Sequence, residues 1–368
     1  MTFRAELRSW LDANTEELEP CRAPLRTFDE RLTALRRLQA HLWDAGWASQ
    51  GWPTAVGGLG GTAVDRAVLY DELTRHRLPV GGPLEHVEIL APPMVVHGDP
   101  DVVRGPLRSL LDGTGLWCQG FSEPDAGSDL AALRTRAEPL GDGFRVNGAK
   151  IWTSWAGVAK WCVLLARTGT LEERHRGLSV FFVDLDTPGV TVMPIRQANG
   201  TDELAEVHFD DVLLDRGALV GRIGGGWQIA MDILACERTS FAWLRHLHLR
   251  ERFASLSAHV DRAGETAVDL FALGCTTAAS VRRLATGTFA GPEAAICKVA
   301  LTTTEQRLFD LALETAGPEL LLDDRGDLAR WREDYLFSRI VSVYGGTRQM
   351  QLSTLSRFVL GFGPEPVS

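Results

Sequence analysis

Apolar residues recur every three to four positions through the first third of the chain, which is the spacing of amphipathic helices. In the segment from Phe28 to Ala45 the recurring apolar positions are Leu32, Leu35, Leu38 and Leu42. The segment from Asp65 to Thr74 repeats this spacing, and the glycine-rich stretch Gly57 to Gly61 separates the two. We therefore predict a helical region from Phe3 to about Leu116.

Between Cys118 and Gly221 the pattern changes to short runs rich in β-branched and aromatic residues, separated by turn residues, which is typical of strands. The dipeptide Asn147-Gly148 is typical of a tight hairpin and predicts a turn between Phe144–Val146 and Ile151–Trp152. Four further strands are predicted: Trp161–Ala166, Leu178–Val183, Val190–Ile195 and Ala205–Phe209. Together these strands predict a small β-barrel or sandwich.

Helical spacing resumes after Gly224-Gly225-Gly226. The predicted segments run through Arg250 and then cover Thr266–Thr286, Pro292–Ala316 and Ser353–Leu360. This order of helices, strands and helices does not alternate β with α, so it disfavours a doubly wound nucleotide-binding fold. We predict an α+β protein with an N-terminal helical domain (1–117), a central β-domain (118–222) and a C-terminal helical bundle (223–368).

Composition narrows the class of protein. The 368 residues are 45% hydrophobic and 23% charged, as in soluble globular proteins. The net charge of −10 argues against a nucleic-acid partner. Six cysteines without a C-x-x-C pair predict neither a disulfide framework nor a metal site. The scattered cysteines favour a reducing cytoplasm. No stretch approaches the ~20 apolar residues of a membrane span, so we expect none.

Two segments combine residue types that can hold a planar, polar-edged ligand. The first, Phe121 to Asp129, is a loop of hydroxyl, glycine and proline residues where the helical region gives way to strands, although an ordinary polar loop fits it equally well. The second, Lys150 to Trp155, mixes indoles with hydroxyls on a strand whose successive side chains project to opposite faces. In a chain with eleven tryptophans, a purely structural role for these indoles is the alternative.

The segments Phe121–Asp129 and Asn147–Ser154 closely resemble the two flavin-loop signatures of acyl-CoA dehydrogenases, and the resemblance continues at Gly51–Gly58 and Ala205–Val212. It implies that FAD is the cofactor, that an acyl-CoA or acyl-carrier thioester is the substrate, and that electron-transfer flavoprotein is the electron acceptor. By the same resemblance, the FAD contacts are Gln119, Phe121, Ser122, Trp152, Ser154, Thr347 and Gln349, with Trp152 on the ring face and Ser154 near N5. Ser128 and Arg238 are implied to contact the acyl-CoA.

A base is needed because the α-proton of a thioester is weakly acidic. If Trp227 to Leu244 is a helix, Glu237 interrupts an apolar stripe formed by Ile229, Ile233 and Phe241, and burial there would raise its pKa. The alternative is a Glu237 at the margin of the stripe, paired with an arginine such as Arg238 or Arg245.

The family resemblance favours Glu237 as the base. Many relatives carry the base in a late Tyr-Glu-Gly-Thr motif, which here reads Tyr344-Gly345-Gly346-Thr347 without a carboxylate. The branch with isovaleryl-CoA and long-chain acyl-CoA dehydrogenases carries the base in a Glu-Arg pair that Glu237-Arg238 matches, which hints at branched or bulky acyl groups. The Gly345 amide could then stabilise the developing enolate, although a simple turn glycine is the alternative.

The chain departs from the family at two motifs that reach the neighbouring subunit's FAD in homotetramers. The segment Arg250–Ala254 lacks the glycine of the Arg-x-x-Phe-Gly motif, and Ala316-Gly317-Pro318 replaces a Gly-Gly-x-Gly loop. The sequence is compatible with three oligomeric states: a homodimer, a homotetramer and a heterotetramer with a related subunit. It is also compatible with two other functions: a degenerate partner subunit, and an oxidase-like flavoenzyme on the same fold.

Overall fold

The computed structural model describes residues 2–22, 27–256, 263–322 and 326–363, and the chain is helical at both ends with strands in the middle. The helices are α1 (Phe3–Ala13), α2 (Thr15–Arg22), α3 (Phe28–Asp44), α4 (Ala63–Arg75), α5 (Glu85–Ile89), α6 (Ala91–His97), α7 (Pro100–Leu111), α8 (Gly226–Leu256), α9 (Ala263–Leu284), α10 (Ala294–Ala316), α11 (Glu319–Leu322), α12 (Gly326–Ser338) and α13 (Arg348–Thr354). The strands are β1 (Trp117–Gly120), β2 (Arg136–Leu140), β3 (Gly143–Ser154), β4 (Trp161–Arg167), β5 (Leu178–Asp184), β6 (Val190–Ile195), β7 (Leu204–Leu214) and β8 (Leu219–Val220).

The eight strands form one hydrogen-bonded sheet in the order β6-β7-β3-β2-β4-β5-β8, with β1 parallel to β4. The link between β2 and β4 is a single residue pair, Arg136 with Arg167. Buried residues of β3 and β7 nevertheless share one hydrophobic cluster with buried residues of β4 and β5, and the Phe144 and Phe181 rings meet edge to face at 4.9 Å. The two wings of the sheet therefore enclose a common core.

The hairpin predicted at Asn147-Gly148 is wrong, because β3 runs through this dipeptide without turning. The Asn147 side chain instead donates to Asp211 Oδ1 on β7 and accepts from the Asp211 amide, at 3.0 and 2.9 Å. Gly148 is needed for a close approach of strands, since a Cβ there would lie 2.7 Å from Thr135 Cα. The hairpin turn lies at residues 141–142, which join β2 to β3.

The other predicted strands and most predicted helices are confirmed. Both α3 and α4 begin with capping boxes, formed by Thr27 with Glu30 and by Thr62 with Asp65. The predicted helix Ser353–Leu360 is confirmed in part, because α13 ends at Thr354 and a π-helical turn, Leu355–Val359, follows. The sequence pattern did not predict α11 and α12. Among the described residues, no helix is long and apolar enough to cross a membrane.

By compactness the chain divides into two units. The β unit comprises Leu18–Gly61 and Gly82–Leu234, and the helical unit comprises Met1–Glu17, Thr62–Gly81 and Ala235–Ser368. The sequence of α8 begins in the first and ends in the second. The boundaries of the three domains that the sequence predicts stay a prediction.

Candidate active site

In the β unit, the loop after β1 is fixed to β3 by buried polar contacts. The Ile151 amide donates to the Ser122 carbonyl at 2.9 Å. Lys150 is fully buried, and its Nζ donates to the Phe121 carbonyl at 3.0 Å and to Glu123 Oε1 at 2.8 Å. The structure therefore brings the two sequence segments that we singled out together, and it fixes the position of Phe121 and Ser122.

Glu123 completes this buried anchor. Its carboxylate also accepts the backbone amides of Arg134 and Thr135, at 2.6 and 2.8 Å. Burial opposes its charge, but Lys150 and these donors lower the pKa of Glu123 below its ordinary value. The sequence analysis assigned no role to Glu123 or Lys150.

Trp152 occupies a strained position at an irregularity of β3. The pairing of β3 with β7 shifts register between Lys150 and Thr153, and Trp152 has a φ of 61°. A bulky residue in the left-handed region costs free energy, and such strain is concentrated at functional sites. The bulge leaves the indole 57% exposed, while the next residue, Thr153, is fully buried. An exposed aromatic face is thus held beside the anchored loop.

The other predicted residues of the β unit differ in accessibility. Ser154 is the last residue of β3 and is half-buried, with Leu204 as its pairing partner. Gln119 is half-buried in β1, opposite Val163. Ser128 is exposed in the loop and precedes Asp129, which forms an ion pair with Arg174.

In the helical unit, Glu237 lies on α8 and is half-buried. Burial raises the pKa of this carboxyl, and the nearby cations Lys298 and Arg238 oppose that shift. The predicted alternative, a salt bridge with a neighbouring arginine, is not formed. Arg245 pairs with Glu305 instead, at 2.6 and 3.0 Å, and Arg238 Nε donates to the Gly345 carbonyl at 3.2 Å.

Gly345 lies directly against the Glu237 carboxylate. Its φ is 64°, and a Cβ at this position would be 2.8 Å from Glu237 Oε1 and 3.6 Å from Lys298 Nζ. Its carbonyl accepts hydrogen bonds from Arg238 and from Gln351 Nε2, each at 3.2 Å. The glycine is therefore required by backbone conformation and by lack of space, and the predicted base and the predicted enolate-binding glycine are neighbours.

The sequence analysis missed two residues at this site. Gln351 is buried and also donates to the Gly346 carbonyl at 3.1 Å. Lys298 on α10 is 1% exposed, its Nζ has no hydrogen-bond partner among the described residues, and it lies 3.6 Å from the centre of the Tyr344 ring. Burial lowers the pKa of Lys298 to about 8.

The remaining two predicted residues lie at the start of α13. Thr347 caps this helix, with its hydroxyl accepting from the Met350 amide at 3.2 Å. Gln349 is exposed in the first turn. The predicted site residues thus form one set in the β unit and another in the helical unit.

Models of known protein families match the chain along most of its length. Three family models match in order: acyl-CoA dehydrogenase, N-terminal domain (2–114), middle domain (118–212) and C-terminal domain (219–360). The acyl-CoA dehydrogenase IpdE1 of Mycobacterium tuberculosis is 36% identical, over 99% of this chain and 98% of that protein. The IpdE1 of Mycolicibacterium smegmatis is 34% identical over the same shares.

Solved structures agree with this assignment. A G363A variant of the Tcur3481-Tcur3483 steroid ACAD covers 100% of this chain and 98% of its own, with a TM-score of 0.82 at 24% identity, and so supports the fold. The ChsE4-ChsE5 complex of Mycobacterium tuberculosis contains a chain that is 26% identical, with a TM-score of 0.74 and coverage of 100% and 97%. The chain therefore belongs to the acyl-CoA dehydrogenase family, and it is an enzyme, since relatives named acyl-CoA dehydrogenase match 99% of it.

Proposed function

We propose that this chain is an FAD-dependent dehydrogenase that converts an acyl thioester to its trans-2-enoyl thioester, with Glu237 as the base. One observation supports this proposal above the others: the Glu237 carboxyl, whose pKa is raised by burial, lies against Gly345, where a Cβ would meet it at 2.8 Å. A base with a raised pKa holds an abstracted proton more firmly than an ordinary carboxylate does.

The residues of the β unit fit a flavin. The exposed Trp152 indole offers a stacking face, and the anchored loop at Phe121 and Ser122 offers an amide and a hydroxyl to a polar ring edge. Bound FAD would supply the acceptor for the hydride that leaves the β-carbon. We assign Gln119 and Ser154 to this flavin-binding set of the β unit, and we propose that Thr347 and Gln349 of the helical unit contact the flavin and its phosphates.

On the substrate, the Glu237 carboxylate removes the α-proton while the Gly345 amide donates to the thioester carbonyl oxygen. That donation stabilises the negative charge that develops on the oxygen. Arg238 holds the Gly345 carbonyl at 3.2 Å and so orients the peptide that follows it. We assign Ser128 and Arg238 to contacts with the acyl-CoA.

The relatives suggest the class of substrate and the assembly. One solved relative is named the Tcur3481-Tcur3483 steroid ACAD, and another is the ChsE4-ChsE5 complex. We therefore propose that the substrate is a bulky, ring-containing acyl-CoA and that Glu237 is placed as in the isovaleryl-CoA branch. We further propose that a related chain is the partner subunit and that electron-transfer flavoprotein is the electron acceptor. This assembly also accounts for the two motifs at 250–254 and 316–318 that depart from homotetrameric relatives.

Steady-state turnover tests the proposal. The chain, purified alone and with its related subunit, is given a panel of straight, branched and steroid-derived acyl-CoA thioesters, and the products are analysed by mass spectrometry. We expect loss of two hydrogens from a bulky thioester, with electrons passed to electron-transfer flavoprotein. Hydrogen peroxide formed in place of acceptor reduction would identify an oxidase. Full activity of the complex with the Glu237→Gln variant would identify this chain as a partner subunit without catalysis.

A further inference from the structure

Lysine is rare in this chain, and its three positions differ sharply in environment. Of 38 basic residues only Lys150, Lys160 and Lys298 are lysines. Lys160 is half-exposed and forms ion pairs with Asp184 and Asp186 at 2.8 and 2.6 Å. The other two are fully buried, and of these only Lys298 lacks a hydrogen-bond partner among the described residues.

The Lys298 ammonium faces the Glu237 carboxylate across Gly345. The position of the missing Gly345 side chain lies 3.6 Å from Lys298 Nζ and 2.8 Å from Glu237 Oε1, so the two charged atoms are at most about 6.4 Å apart. The Tyr344 ring, 3.6 Å from Nζ, holds the ammonium by a cation–π contact.

Other charged groups near this pair do not replace Lys298. Arg238, also on α8, uses its Nε for the Gly345 carbonyl. Glu305, on the same helix as Lys298, forms two hydrogen bonds with Arg245. Of the two carboxylates near Lys298, Glu305 is therefore neutralised by Arg245 and Glu237 is not. Lys298 is the ammonium that can neutralise Glu237.

A buried ammonium without a hydrogen-bond partner is unfavourable for folding, because it loses its hydration shell. An opposite charge within this distance favours the ionised form of a carboxylate by one to three pH units. We propose that Lys298 is a positioning residue that keeps the half-buried Glu237 ionised, and therefore able to accept a proton, in the resting enzyme. This inference deepens the proposed function and rests on it.

The first test measures the coupling from the lysine side. Because the chain has three lysines, selective ¹³C labelling gives three side-chain signals in NMR, and Lys160→Arg assigns the exposed one. We expect one buried signal to titrate near pH 8, and the Glu237→Gln variant, which keeps the shape but removes the charge, to lower that midpoint by one to three pH units. An unchanged midpoint would overturn the inference.

The second test measures the same coupling from the carboxylate side. Infrared difference spectra against Glu237→Gln report protonation of the Glu237 carboxyl without substrate. By thermodynamic linkage, Lys298→Met must raise the pH midpoint of Glu237 protonation by as much as Glu237→Gln lowers the midpoint of Lys298. Lys298→Arg, which keeps the positive charge, must return the Glu237 midpoint most of the way to the wild-type value. Lys160→Met is the matched control and must leave the midpoint unchanged.

Kinetics separates this inference from the proposed function. In Lys298→Met the acid limb of the pH profile for flavin reduction should move to higher pH by the same amount as the infrared midpoint. Equal midpoints in the wild type and Lys298→Met would overturn the role of Lys298, even in an active enzyme. Shifted midpoints in a protein that oxidises no thioester would instead refute the function while leaving the electrostatic coupling intact. If Lys298→Met does not fold, the lysine titration in Glu237→Gln still decides.

Discussion

Two buried lysines, each beside a glutamate, differ in what surrounds their ammonium groups. In the β unit, Lys150 donates to Glu123 and to the Phe121 carbonyl, and Glu123 accepts two further backbone amides. In the helical unit, Lys298 has an aromatic ring at 3.6 Å and a carboxylate beyond hydrogen-bonding range. The first ammonium is compensated by hydrogen bonds, and the second is not.

The glutamates respond in opposite directions. The pKa of Glu123 is lowered, chiefly by Lys150 acting against burial, whereas burial prevails at Glu237 and raises its pKa. A carboxylate that is to exchange protons must not be locked into its ionised form by strong donors. We therefore interpret the Lys150–Glu123 pair as an anchor for the loop. We interpret Lys298 as a charge that adjusts the pKa of the base, Glu237.

Removing Lys150 should have the largest effect on stability. Lys150→Met leaves Glu123 buried without its cation and the Phe121 carbonyl without its donor. Breaking a buried pair in this way costs about 3–5 kcal/mol of unfolding free energy. Denaturant unfolding measures the loss, and the matched Lys160→Met should lie within about 1 kcal/mol of the wild type. Equal effects of the two substitutions would remove the structural role of Lys150.

Removing Lys298 should change stability in the opposite direction. Burial lowers the pKa of both buried lysines, but only the Lys298 ammonium lacks a compensating hydrogen bond among the described residues, and its pKa falls to about 8. Replacement by methionine, which is apolar and similar in length, removes the cost of burying an ammonium without hydrogen bonds. It should raise the unfolding free energy at pH 7 by about 1–3 kcal/mol while impairing flavin reduction at low pH. A marked destabilisation in the same denaturant experiment would show that Lys298 is a structural residue like Lys150.

The pH dependence sharpens this contrast. Lys298 has a pKa of about 8 in the folded state against an ordinary value of 10.5, so between these pH values the unfolded chain binds one more proton than the native chain. Unfolding of the wild type therefore becomes less favourable as pH rises through this window. The stability advantage of Lys298→Met should shrink from pH 8 to pH 10.5, as measured by denaturant midpoints at several pH values. A constant advantage would contradict the lowered pKa.

The smallest expected change in stability is at Gly345. Gly345→Ala places a methyl group in the left-handed region and 2.8 Å from Glu237 Oε1, but that oxygen ends a flexible side chain and can move. We expect a loss of about 1 kcal/mol in unfolding free energy with a much larger loss of turnover, because the base is displaced. Retained turnover would show that the precise position of the carboxylate is not required.

The sequence predicted the elements better than the site. Apolar periodicity identified α3, α8 and most strands because burial of one face imposes that periodicity. It failed at Asn147-Gly148, because the Asn147 side chain forms hydrogen bonds with Asp211, which is distant in sequence, and Gly148 allows a close approach to Thr135. Glu237 was predicted because it interrupts an apolar stripe and because Glu237-Arg238 matches the Glu-Arg pair of one branch of the family. Lys298 was missed because its neighbours, Gly345 and Tyr344, lie on a distant segment.

The central claim is that Glu237 is the base for oxidation of an acyl thioester. Its most direct test is a single-turnover experiment without oxygen, in which the flavin spectrum of the purified protein, with its partner subunit if required, is followed after addition of the thioester. We expect rapid bleaching in the wild type and a rate lower by roughly 10²–10⁴-fold in Glu237→Gln. Bleaching at the same rate in both proteins would contradict the assignment.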